Sequence, residues 1–147
     1  MQVTRRQVLG LSAGAAAFMA FAPAFADEAA TEKMLMEFTG GKSPGSGKID
    51  LKAPEIAENG NTVPITVSVE SEMTESSYVE SVTLLADGNP NPAVATFHFT
   101  PMSGEASATT RMRLAKTQNV IAVAKMSDGS VFMDKKQVKV TIGGCGG

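Results

Sequence analysis

Val63-Pro64-Ile65-Thr66-Val67-Ser68-Val69 puts an apolar side chain at every second position, the period of a strand that buries one face. The alternation recurs on both sides of this run. Ile49 and Leu51 precede it; Val82, Leu84 and Ala86, then Ala93, Ala95, Phe97 and Phe99, then Ala106, Ala108, Met112 and Leu114, and finally Val138, Val140 and Ile142 follow. Turn signals separate the runs at Asn59-Gly60, Asp87-Gly88-Asn89-Pro90, Ser103-Gly104 and Asp128-Gly129, the last suited to a two-residue hairpin. With the run described next, about seven strands result. The predicted fold is mainly β, an immunoglobulin-like antiparallel β-sandwich held by apolar packing, without the disulfide and core Trp of antibody domains.

Asn119 to Met126 breaks the alternation, because Val120, Ile121, Ala122, Val123 and Ala124 are apolar on both faces. Such a strand needs a cover on each side, either from the N-terminal helix or a loop, or from a protein partner at Val120, Ile121 and Val123. The helix is predicted over Asp27 to Phe38, which is rich in good helix formers and acidic at its start. Ala30, Leu35 and Phe38 share one of its faces. Gly40 and Gly41 stop it, and the KSPGSGK stretch from Lys42 to Lys48 is a flexible connector by composition.

Ahead of the helix lie a basic start (Arg5, Arg6), an apolar stretch and the small-residue processing site Ala24-Phe25-Ala26. The paired arginines and the weakly hydrophobic Gly10 to Ala17 segment resemble a twin-arginine export signal. Cleavage after Ala26 and export of a folded protein to the periplasm are expected, with no stable membrane association. An uncleaved membrane helix is the alternative, since Val8 to Ala26 is nearly long enough to span a bilayer. The expected organisation is a signal peptide at 1–26, a short helix and Gly-rich connector at 27–47, the sandwich at 48–142 and a flexible C-terminal arm at 143–147.

The 147 residues carry a formal net charge of -2, which argues against a nucleic-acid partner, and 43% of them are hydrophobic, enough for one core. Reactive side chains are few: one His, one Cys and no Trp. A structural zinc site needs about four ligands, which His98 and Cys145 do not supply, so no metal and no other resident cofactor is expected. His98 alternates with Phe97 and Phe99 and reads as an exposed strand residue. A phosphate loop at Gly41-Lys42-Ser43 fails, because the glycine it requires at position 36 is Met36.

What remains is Gly143-Gly144-Cys145-Gly146-Gly147. Four glycines surrounding a thiol give it a tether rather than a packed position. From Ile142 the arm reaches roughly 10 Å, at about 3.3 to 3.6 Å per residue. Nothing nearby in the sequence lowers the thiol pKa from its usual value of about 8.5. Such a group is a poor catalyst and a good attachment point, so the chain is expected to be a non-catalytic carrier. An odd cysteine in an exported protein also suits an interaction module whose tail forms an intermolecular disulfide.

The ending Val138-Lys-Val-Thr-Ile-Gly-Gly-Cys-Gly-Gly147 resembles that of the SoxY family, sulfur carriers of the bacterial Sox thiosulfate-oxidation system. The resemblance extends to Asp50-Leu-Lys-Ala-Pro-Glu-Ile-Ala-Glu-Asn-Gly60, Leu84-Leu-Ala-Asp-Gly-Asn-Pro-Asn-Pro92 and Arg113-Leu-Ala-Lys-Thr-Gln118. It implies that Cys145 is the covalent attachment site for sulfur intermediates, as thiosulfonate and persulfide, on an arm of Gly143, Gly144, Gly146 and Gly147. It also implies a heterodimer with SoxZ and transient contacts with a c-type cytochrome enzyme, a hydrolase and a sulfane-oxidising molybdenum enzyme.

Overall fold

The computed structural model describes residues 26–144. In chain order the elements are helix α1 (Ala26–Thr39), β1 (Ile49–Lys52), β2 (Ile56–Ala57), β3 (Val63–Val69), β4 (Val79–Ala86), β5 (Ala93–His98), a 3-10 turn at Pro101–Ser103, β6 (Ala106–Met112), β7 (Gln118–Met126) and β8 (Val131–Val140). Two sheets pack face to face, ordered β1-β3-β6 and β2-β8-β7-β4-β5. The expected sandwich is present, with the short β2 as an eighth strand that pairs in parallel with the end of β8.

The alternation sets the register. Val63, Ile65, Val67 and Val69 are buried, and β3 pairs with β6 from Val63 opposite Met112 to Val69 opposite Ala106. Facing them across the core are Val82, Leu84 and Ala86 of β4 with Val120, Ala122 and Ala124 of β7. Fully burying a Val, Leu or Ile side chain contributes about 1.5 to 3 kcal/mol.

β7 is buried on both faces, and both covers come from the same chain. On its outer face Ile121 and Val123 join Leu85 beneath Met34, Leu35 and Phe38 of α1, with Met133 beside them. The apolar run is therefore spent inside the molecule. Val120 is fully buried in the main core, so Val120, Ile121 and Val123 do not form an exposed partner surface.

Two local expectations change. The connector after α1 is strapped to β8 at its middle: Gly45 N–H donates to Val131 O at 2.8 Å, and Met133 N–H donates to Gly45 O at 3.0 Å. The β7–β8 turn is longer than two residues, since Met126 N–H bonds Ser130 O at 2.9 Å and Gly129 adopts φ 85°. A glycine in left-handed conformation is what such a longer hairpin loop requires.

Candidate functional site

The last strand ends at Val140, two residues before the expected Ile142, which is 69% exposed. Beyond the strand the chain does not leave the body. Thr141 N–H donates to Ala57 O at 3.1 Å, and its hydroxyl donates to Glu58 O at 3.1 Å. Gly60 N–H donates to Ile142 O at 2.8 Å, Leu114 N–H to Gly60 O at 2.7 Å, and Gly144 N–H to Leu114 O at 2.9 Å. Segments 57–60, 114–115 and 141–144 are thus stitched together at the end of the sandwich where β6 stops and β7 begins.

The packing there leaves no space for side chains. A Cβ on Gly143 would fall on Ala115 O, and one on Gly144 would sit 2.7 Å from Gly60 O. At Gly60 it would fall on Leu114 O and lie 2.7 Å from Gly144 N. Distances below about 3 Å do not occur for real Cβ atoms. Gly60 and Gly144 are buried. The glycine requirement at Gly143 and Gly144 is therefore one of close approach. This corrects the expectation of a free tether at these two residues: both are docked, and Gly144 directly precedes Cys145.

The 113–118 segment that receives Gly144 is held from beneath by a buried amide pair. Asn89, only 2% exposed, donates from Nδ2 to Arg113 O at 2.8 Å. Its Oδ1 accepts from Ala115 N at 2.9 Å and from Gln118 Nε2 at 2.8 Å. Gln118 also donates to Lys116 O at 3.0 Å and accepts from Gly88 N at 2.8 Å. Next to them Asp87 accepts from Asn119 N at 2.8 Å and Nδ2 at 2.7 Å. A buried polar pair of this kind is stable only when its bonds are made, and so it defines one loop geometry.

Arg5, Arg6, Cys145, Gly146 and Gly147 lie outside the described residues, and Ala26 opens α1. His98 is exposed, while Phe97 and Phe99 pack against the core, as their alternation predicts. It stands at the far end of β5 from the docked segment. Among the described residues no three His, Cys, Asp or Glu side chains group in a way that could hold a metal. Sequence reading did not single out Gly60, Asn89, Leu114 or Gln118 as parts of the site. Asn59-Gly60 and Asp87-Gly88-Asn89-Pro90 were visible as turns, but nothing local reveals what a turn touches.

The family model described as Sulfur oxidation protein SoxY matches residues 35–145. The chain belongs to the SoxY family. The family match ends on Cys145, immediately after the docked Gly144. The solved sulfur carrier protein SoxY from Chlorobium limicola f thiosulfatophilum is 31% identical, over 78% of this chain and 98% of that one, with a TM-score of 0.63. A superoxide reductase (neelaredoxin) from Ignicoccus hospitalis is 22% identical over 64% of this chain and 80% of its own, with a TM-score of 0.56. The superoxide reductase from Nanoarchaeum equitans is 16% identical over 61% and 90%, with a TM-score of 0.52. At these identities the likeness to the two reductases shows the fold alone. No curated protein sequence matches the chain.

Proposed function

We propose that this protein is a periplasmic, non-catalytic carrier that holds sulfur intermediates covalently on Cys145 and presents them to the other Sox enzymes. The observation that carries the proposal is the SoxY family match, which runs to Cys145, the only cysteine of the chain. The docked Gly144 supports it, because it brings the chain to the rim of the sandwich one residue before the thiol.

The chemistry balances with the enzymes the family implies. A c-type cytochrome enzyme removes two electrons as the Cys145 sulfur bonds the sulfane sulfur of thiosulfate, and the thiol proton is lost. Hydrolysis of the resulting thiosulfonate by a second enzyme consumes water and releases sulfate, leaving a persulfide on Cys145. A molybdenum enzyme then removes six electrons from that sulfane sulfur, with three waters supplying the oxygens, and hydrolysis of the resulting sulfonate releases a second sulfate and restores the thiol. The carrier contributes the thiol and its placement, with no cofactor of its own.

Pairing with SoxZ belongs to the same proposal, as do the signal peptide at 1–26, cleavage after Ala26 and twin-arginine export directed by Arg5 and Arg6. A route that exports folded proteins suits a chain assembled with a partner that has no signal. The apolar β7 gives no support to the pairing, since α1 covers it.

Intact mass spectrometry after incubation with thiosulfate and the partner enzymes tests the carrier role. A thiosulfate adduct on Cys145 is expected, and an unmodified thiol would overturn the proposal. Non-reducing electrophoresis separates it from a crosslinking role, for which a disulfide dimer would be the sole active form.

A further inference from the structure

We infer that Asn89 is a positioning residue for Cys145, acting through a latch that fixes the root of the arm. Asn89 is buried and bonds two backbone groups of the loop, Arg113 O and Ala115 N. Between those two residues lies Leu114, whose carbonyl accepts the Gly144 N–H at 2.9 Å. Ala115 is the residue against which Gly143 packs. One side chain therefore holds both sides of the position that grips the arm, and Gln118 fixes that side chain in turn.

The consequence is geometric. With the latch closed, the backbone is held at the rim up to Gly144, the residue before Cys145. With it open, Gly143 and Gly144 are freed as well, which adds roughly 7 Å of reach at about 3.3 to 3.6 Å per residue. A thiol confined near its exit point meets a docked enzyme's active site more often than one spread over a larger volume. The role in loading rests on the carrier proposal, whereas the latch itself does not.

The test attaches a nitroxide spin label to Cys145, the lone cysteine of the full chain, and follows amide hydrogen exchange in parallel. In Asn89→Ala and in Gly144→Ala the label should tumble severalfold faster. The amide at position 144 should exchange at least tenfold faster, with the Val67 and Ala122 amides of the sheets unchanged. A merely structural Asn89 would loosen the sheet amides together with position 144, which would overturn the inference. So would label spectra like wild type in both variants. Should Asn89→Ala not fold, Gln118→Met, which removes one bond to Asn89 at similar volume, must shift the label and the position 144 amide in the same direction. In the reconstituted reaction both variants should lose about tenfold in kcat/KM for thiosulfate loading, while iodoacetamide alkylates their thiol at least as fast as in wild type. A wild-type chain that is never loaded would overturn the carrier proposal and leave the latch standing. Unchanged label mobility would overturn the latch and leave the carrier proposal standing.

Discussion

The chain has two glycine-rich segments, and their glycines are present for different physical reasons. In the connector after α1, Gly40, Gly41 and Gly47 have φ of 65°, 81° and 84°, and a Cβ on any of them would meet nothing within 4 Å. These positions need a left-handed backbone, and space is plentiful. At the C-terminal end, Gly143 and Gly144 are pressed against Ala115 and Gly60, with no room for even one methyl. Low complexity in a sequence thus covers both a backbone that must bend and a backbone that must touch. The first kind ends a helix, whereas the second holds down the root of the arm that bears Cys145.

The largest effect should come from the arm itself. Cys145→Ser is expected to remove all sulfur loading, read by intact mass, while the melting temperature stays at the wild-type value because the change exchanges one sulfur atom for oxygen. If loading persists, the arm is not the carrier site and the comparison loses its functional half.

Gly60→Ala should be next. Its methyl would fall on Leu114 O and crowd Gly144 N and Val140, so a destabilisation of about 1 to 3 kcal/mol is expected from overpacking. Urea unfolding measures it, and faster exchange at the position 144 amide should accompany it. Gly40→Ala should cost less, about 1 kcal/mol, because only the backbone preference is violated. Its effect should be confined to fraying of α1, visible as exchange at Gly41, whose N–H caps the helix on Met36 O at 3.0 Å. Equal costs at the two positions would erase the distinction between bending and touching.

The smallest effect concerns the turn at the opposite end of the sandwich. The Ser130 hydroxyl and backbone N–H both donate to the Asp128 carboxylate and hold its pKa below the ordinary carboxylate range. A pKa depressed on folding means that the stabilisation is present above the unfolded-state value and is lost as the pH falls through the folded one. Melting curves on acidification should show a slightly flatter acid limb for Asp128→Asn than for wild type, with loading untouched.

Most of the sandwich was legible because β-strands that bury one face must alternate. Val63 to Val69 and Ala106 to Met112 announced themselves this way and pair with each other as the pattern requires. β8 was only half visible. Val131 to Gln137 does not alternate, since Phe132 packs toward the main core while Met133 meets the α1 side, and both are only partly buried. The need for a cover over β7 was legible, but its source was not. An apolar face says that water must be excluded and is silent on which surface does it. Met34, Leu35 and Phe38 fill that role because the connector, anchored at Gly45, returns α1 across the sheet.

By itself the sequence determined the β-sandwich, the short helix ahead of it, the placement of one cysteine in a glycine frame and, through motifs along the whole chain, the SoxY family. These are properties of local periodicity and residue inventory, which survive without coordinates. Only the tertiary structure decided that Gly143 and Gly144 are docked. Asn89 and Gln118 are 29 residues apart, and both lie far along the chain from Gly144, so neither local pattern nor composition records that they meet. Their contact exists because the ends of β4, β6 and β8 converge at one rim, where buried amides must find partners and where close backbone approach admits only glycine.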